Sequence, residues 1–206
     1  MKDLIFETIV QGHEKRKHFF PYLKEKLGDV LFCVDKGRDG RGGNLGTWGN
    51  RKQCYQKAKK DKEWVLVIQD DAILCDDFLN KANDFLKKVN DTHKSVQFYN
   101  GSIDLYEKEL KDIREKGYYE DILIWGVAIA LKTELLTDEL YRFGDAFEQN
   151  ADDTKIQHYL RSKKLLTAYP MPCLVQHRSN KETNSIVLLM EDERQSKFFI
   201  DDVKDI

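Results

Sequence analysis

Two hydrophobic rhythms alternate along the first ninety residues of this chain. The stretch LIFETIV (4–10) predicts a first strand, and DVLFCVD (29–35) a second that closes on Asp35. WVLVIQ (64–69) is nearly all apolar, which suits a central strand covered on both faces. Between them, EKRKHFFPYLKEKLG (14–28) has the mixed apolar and basic character of a surface helix that stops at Gly28, and RKQCYQKAKK (51–60) predicts another helix. Phe78, Leu79, Ala82, Phe85, Leu86 and Val89 recur at helical spacing in DFLNKANDFLKKVN (77–90), for which Asp76 would serve as N-cap. Residues 36–50, KGRDGRGGNLGTWGN, are rich in glycine and are expected to be loop.

Strand and helix in alternation predict an open α/β sheet, and in such sheets ligands collect at the carboxyl ends of the strands. Asp35 and the adjacent pair Asp70 and Asp71 fall at two of those ends. Like charges side by side repel, and burying them unpaired is costly, so a cation is the physical reason to gather them where an apolar strand stops. A hard divalent ion such as Mg²⁺ or Mn²⁺ takes oxygen ligands and bridges carboxylates to the phosphates of a substrate. The competing role is a solvated turn that caps the next helix. The second apolar segment AIL (72–74) directly after the pair argues against an exposed turn.

Composition narrows the picture. With 206 residues, 41% hydrophobic and 34% charged, the chain is expected to form one domain spanning 1–206. Its longest apolar run, ILIWGVAIAL, is too short to cross a bilayer, and MKDLIFETIV lacks the pattern of a signal peptide, so a soluble protein is expected. Cys33, Cys54, Cys75 and Cys173 lie far apart without metal-site spacing and are expected to be reduced thiols in a cytoplasmic protein. A net charge of -2 argues against a generally basic nucleic-acid binder. The charge is uneven, however: residues 1–63 hold 15 Lys and Arg against 9 Asp and Glu, and the remainder 19 against 27, so the basic first part fits an anionic ligand.

The segment VLVIQDDAILCDDF (65–78) resembles the metal-binding segment of GT-A-type glycosyltransferases, in which a hydrophobic strand ends in a DXD-like motif followed by a short apolar strand. The resemblance extends along roughly residues 1–186. WGVAIALK (125–132), NADDTKIQHYL (150–160) and PCLVQHRSN (172–180) follow in the family's order of glycine loop and strand, acidic pair opening a helix, and late histidine. It is strongest toward small bacterial and phage-encoded members, including lipopolysaccharide-type and phage DNA-modifying enzymes. What it implies is a GT-A-type, Rossmann-like open mixed sheet, mostly parallel and flanked by helices. Residues 1–100 would form the nucleotide-sugar-binding half, 101–186 the acceptor and catalytic half, and 187–206 a C-terminal tail or helix.

The resemblance also implies roles. Asp71 and His177 would be metal ligands, with Asp70 beside them, and the cofactor would be Mn²⁺ or Mg²⁺. Gln69 stands where the family commonly has an acid; it carries no charge but can hydrogen-bond a ribose or a metal-bound water. Asp153 would be the general base that deprotonates the acceptor in an inverting reaction, with Asp152 its neighbour in the catalytic pair, and both also suit a helix first turn. Asp35 would contact the nucleobase or ribose, and Arg51, Lys52 and Arg178 the diphosphate. Gly126 would keep the backbone close to the sugar, and Trp125, like Trp48, offers a stacking face. The glycine loop GRDGRGGNLG lacks the order of a P-loop and is expected to be a flexible lid.

The expected activity is transfer of a hexosyl or pentosyl group from a nucleoside-diphosphate sugar, foremost a UDP-sugar, to a hydroxyl. The acceptor would be a hydroxymethylated pyrimidine in DNA, placing the protein in the host cytoplasm if it is phage-encoded, or a saccharide of lipopolysaccharide or capsule. Two other classes fit the sequence less well. A nucleotidyltransferase usually opens with a glycine-rich phosphate loop after its first strand, where this chain has QGHEKRKHFF. A non-catalytic nucleic-acid or carbohydrate binding module would leave Asp71, Asp153 and His177 unexplained as a set.

Overall fold

The computed structural model describes residues 3–36, 46–101, 105–147, 151–178, 183 and 195–201. Its centre is a seven-stranded sheet built from β1 (Phe6–His13), β2 (Leu31–Asp35), β3 (Trp64–Gln69), β5 (Ser95–Gln97), β6 (Tyr118–Asp121), β7 (Ala128–Lys132) and β8 (Thr167–Pro170), in the order β2-β1-β3-β7-β5-β8-β6. A separate two-stranded sheet pairs β4 (Ala72–Leu74) with β9 (Val175–His177). In the large sheet β1, β2, β3, β5 and β8 run one way while β7 and β6 run against them. The expected open, mostly parallel mixed sheet flanked by helices is therefore what the chain forms.

The strands face two cores. On β3, Trp64, Leu66 and Ile68 enter one, which contains Leu23 and Leu27 of α1 (Phe20–Leu27) and Phe78, Ala82, Leu86 and Val89 of α3 (Phe78–Val89). Val65 and Val67 enter the other, with Cys54 and Tyr55 of α2 (Gly46–Lys57), Leu140 of α5 (Asp138–Ala146) and Ile156, Tyr159 and Leu160 of α6 (Asp152–Ser162). All five residues from Trp64 to Ile68 are fully buried, the outcome expected for a strand with apolar side chains on both faces. At about 1.5–3 kcal/mol for each large side chain removed from water, this strand and the helices on either side of it supply much of the driving force for folding. A further helix, α4 (Glu107–Lys116), has no buried residue and connects toward β6.

Several boundaries differ from the sequence reading. β1 runs on to His13 because its backbone keeps pairing with Cys33, Val34 and Asp35 after the apolar run has ended. The helix expected over 14–28 is divided: residues Glu14–Phe19 form a 3₁₀ segment with a break at Arg16, and regular helix begins beside Pro21, which lacks the N–H that a first turn leaves unused. α2 begins at Gly46, inside the expected loop, where the Trp48 ring packs against Gly144 of α5 and anchors the first turn. Asp77, not Asp76, is the residue before α3; the Asp76 carboxylate instead pairs with Lys26 at 2.7 Å. The expected lid GRDGRGGNLG (37–46) lies outside the described residues except for Gly46, which opens α2.

Residues 195–201 dock on the body of the protein, not as a helix but through a parallel bridge between Phe199 and Cys173. Ser196 is buried there, and its N–H donates to Gln176 Oε1 at 2.8 Å. The rest of the tail, including Val203, lies outside the described residues. All four cysteines are buried free thiols, and among the described residues no helix is long and apolar enough to cross a membrane.

Candidate active site

Because β1, β2 and β3 are parallel, their last residues His13, Asp35 and Gln69 share one edge of the sheet. Asp35 is buried and stands directly beside His13 in the register, and Gln69 stands beside Gln11. The chain then turns at Asp70 and Asp71 into β4, whose Ala72 pairs with His177 of β9. That antiparallel pairing, closed by a hydrogen bond from the Arg178 N–H to the Asp71 carbonyl at 3.0 Å, brings the late histidine to the acidic turn.

His177 Nε2 lies 3.4 Å from Asp71 Oδ2, and both side chains are almost wholly buried. The other ring nitrogen, Nδ1, is 2.5 Å from the Arg178 carbonyl, which can only accept, so Nδ1 carries a proton. This is the outer hydrogen bond that orients a metal-ligating histidine. Nε2 faces the Asp71 carboxylate.

Asp70 is fully buried. Its Oδ2 accepts from the His13 N–H at 2.6 Å, and its Oδ1 lies 2.9 Å from Arg16 Nε. Burial pushes this carboxyl up to about 7, with Asp71 adding to the rise and Arg16 and the backbone N–H groups opposing it. Arg16 Nη1 reaches Asp71 Oδ2 at 2.5 Å, so one guanidinium spans both carboxylates. The sequence reading missed Arg16. The available signal was its place in a KRK run immediately after the first strand, hence at the same sheet edge as the acids.

The chemistry of this donor set suits Mg²⁺ or Mn²⁺ held by few protein ligands: Asp71 and an oriented imidazole, with Asp70 behind them and substrate phosphates to supply further oxygens. Among the described residues, no group of three or more His, Cys, Asp or Glu side chains is arranged to hold a metal by itself.

The second acidic pair lies at the same edge, where α6 begins. Asp152 is buried, and its Oδ2 accepts from Arg51 Nε at 2.8 Å. Among the described residues no cation forms an ion pair with Asp153, and Arg51 acts on it only through its charge. Its Oδ1 accepts from the Thr154 N–H at 2.7 Å, and burial followed by the Asp152 charge pushes its carboxyl up to about 6. Gly126 connects the two acidic turns: a Cβ added there would lie 3.2 Å from Gln69 Nε2, 3.4 Å from Asp152 Oδ1 and 3.5 Å from Asp153 Cβ. Trp125 stands next to it, edge-on to Tyr99 with ring centres 6.0 Å apart, and Tyr99 lies 6.1 Å from the His177 ring.

The three cations expected at a diphosphate each have protein partners. Arg51 is fully buried, with Nε on Asp152, Nη1 on the Val67 carbonyl at 3.2 Å and Nη2 on the Gly126 carbonyl at 2.5 Å. It clamps the floor of the site and cannot face a ligand in this arrangement. Lys52 pairs with Asp145 at 2.5 Å in a cleft of about 400 Å³ between α2 and α5. The Arg178 guanidinium lies over the rings of Phe19 and Tyr22, 4.4 and 5.0 Å from their centres, next to the acidic turn but stacked. Trp48, expected as a stacking face, is buried against Gly144 and donates from Nε1 to Asp145 at 2.9 Å.

No protein-family model matches the sequence, and no curated protein matches it. Among solved structures, A197 from STIV is 13% identical, with 84% of this chain and 85% of that one covered and a TM-score of 0.48. A mutant of Drosophila β-1,4-galactosyltransferase 7, in complex with manganese, UDP-Gal and xylobiose, is 10% identical, with 95% and 78% covered and a TM-score of 0.48. A glycosyltransferase involved in glycosylation of the major capsid of PBCV-1 is 14% identical, with 76% of each chain covered and a TM-score of 0.40. The large sheet, the acidic turn leaving β3 and the β4–β9 pair beside it together form an open mixed α/β sheet with its acidic turn at one edge.

Proposed function

We propose that this protein is a glycosyltransferase that moves a sugar from a nucleoside-diphosphate donor, a UDP-sugar foremost, to a hydroxyl acceptor, with Mn²⁺ or Mg²⁺ as cofactor. The observation that carries the reading is one sheet edge with two unlike acidic sites. Asp71 is paired with His177 at 3.4 Å, and Asp153 is a half-buried carboxyl raised to about 6.

The two sites suit the two ends of one displacement. Asp71 and His177, with Asp70 behind them, would hold the metal, which when bound neutralises the charge of the departing diphosphate. Asp153 takes the proton of the acceptor hydroxyl while the acceptor oxygen forms its bond to the anomeric carbon. The sugar–phosphate C–O bond breaks in the same step, its electron pair leaves on the phosphate oxygen, and configuration inverts. Asp152, held by Arg51, adds its charge to the burial that raises the Asp153 carboxyl. Asp35 and Gln69 line the edge where nucleoside hydroxyls would sit, and Gly126 and Trp125 would wall the donor sugar. In this reading residues 1–100 bind the nucleotide and 101–186 present the acceptor.

The test is release of nucleoside diphosphate from a panel of nucleotide sugars by the wild type, Asp71→Asn and Asp153→Asn, with Mn²⁺ or with chelator. Hydroxymethylated DNA or a lipopolysaccharide-type saccharide is added as acceptor. Metal-dependent release that both substitutions abolish is expected, and the acceptor that stimulates it names the substrate class. A DNA acceptor would also make the rate fall steeply with salt, because phosphate contacts release counterions. No turnover of any donor, without metal-dependent nucleotide binding, would leave a binding module as the better description.

A further inference from the structure

We infer that Arg16 is the resident counter-cation of the Asp70 and Asp71 carboxylates and must leave Asp71 for a divalent ion to bind there. The inference rests on reading Asp71 and His177 as the ligands of that ion. Arg16 Nη1 and His177 Nε2 approach the same atom, Asp71 Oδ2, at 2.5 and 3.4 Å. An ion bound between Asp71 and His177 would therefore share an oxygen with a guanidinium in a site where the acids are almost wholly shielded from water. At that range, with little solvent screening, a divalent cation and a guanidinium repel strongly.

The local structure lets Arg16 move without unfolding the edge. Its side chain is 27% exposed whereas those of Asp70 and Asp71 are 0% and 4% exposed, so the guanidinium has a path to water that the carboxylates lack. It sits on the 3₁₀ segment at the residue that departs from helical geometry, φ −108° and ψ 15°, just before α1. Asp70 keeps its hydrogen bond from the His13 N–H when Arg16 leaves, so the acidic turn retains its shape. Arg16 thus partly offsets the charge of the pair in the metal-free protein and makes metal binding a substitution of one cation for another. It is a positioning residue, since it acts through Asp71.

The experiment is a titration of Mn²⁺ alone, without nucleotide, into the full chain, followed by calorimetry or by the electron paramagnetic resonance of the free ion. Arg16→Gln is expected to bind Mn²⁺ at least about tenfold more tightly than the wild type. Lys17→Gln removes a neighbouring charge that pairs with Glu14 instead of the acids, and is expected to leave the affinity unchanged. Should Arg16→Gln fail to fold, Arg16→Lys keeps a cation while losing the two-pronged reach, and an intermediate gain is expected.

Equal or weaker Mn²⁺ binding by the Arg16 variants, an equal gain in Lys17→Gln, or no binding by any of these proteins would overturn the inference. Its failure is separable from that of the transferase reading. Donor turnover with a Mn²⁺ affinity indifferent to Arg16 would remove only this inference, and Arg16-dependent Mn²⁺ binding without turnover of any donor would remove only the other.

Discussion

Asp71 Oδ2 and His177 Nε2 stand 3.4 Å apart although the two residues lie 106 positions apart in the chain. What joins them is backbone pairing: Ala72 faces His177 across the β4–β9 ladder, so the residue before one strand meets the last residue of the other. The first prediction follows. Asp71→Asn and His177→Ala each lower donor turnover by on the order of a hundredfold or more, and the double variant is little worse than either single one, because both remove the same site. Steady-state kinetics at saturating Mn²⁺ measures this, and fully additive losses would separate the two residues.

The second prediction concerns pH. Asp153 must be ionised to accept a proton, and its carboxyl is raised to about 6 by burial and by Asp152. kcat/KM therefore rises with pH up to about 6 and is level above it, and the acid limb disappears in Asp153→Asn together with most of the activity. For stability the sign is opposite. A carboxyl whose folded pKa exceeds its unfolded value favours folding most at low pH, and this contribution is lost as pH climbs from about 4 through about 6. Thermal melting of Asp153→Asn should accordingly show a gain over the wild type at pH 7 that shrinks at pH 4.

Arg51 supplies the third. Its guanidinium is fully buried and holds Asp152 with Nε at 2.8 Å. Arg51→Met leaves the Asp152 carboxylate buried and unpaired, which costs about 3–5 kcal/mol by analogy with broken buried ion pairs. Adding Asp152→Asn should recover a large part of that loss. Urea denaturation of the two variants beside the wild type reads both effects. A donor KM that rises while stability holds would return Arg51 to the diphosphate.

Gly144 supplies the fourth. Alanine normally favours a helix interior over glycine by about 0.5–1 kcal/mol. A Cβ on Gly144 would lie 2.1 Å from Trp48 Cζ2, an overlap that a packed helix pair cannot absorb in place. Gly144→Ala is thus expected to destabilise the fold by about 1–3 kcal/mol, with a shift in tryptophan fluorescence as the indole is expelled. Stabilisation by this substitution would contradict the packing of α2 on α5.

The sequence by itself determined what depends on short stretches of chain. The apolar run of β3 could be recognised because a strand buried on both faces has no polar alternation to blur it. The helical spacing from Phe78 to Val89 could be recognised because one face of α3 is almost entirely apolar. The acids at Asp70, Asp71, Asp152 and Asp153 were legible as ends of elements, since one pair follows the apolar run of β3 and the other opens α6, although Asp70, Asp71 and Asp152 are themselves buried. The partners of each charge, by contrast, follow from how the elements assemble. Arg51 and Lys52 are neighbours in the chain, yet one is sealed beneath Gly126 and the other pairs with Asp145, because successive helical residues point about 100° apart and meet different elements. Arg16, in an ordinary basic run, became the partner of both acids through the parallel register of β1 and β3, which sets the residues after one strand beside the turn after the other. Pairings of that kind depend on strand order and register, and those are properties of the assembled sheet.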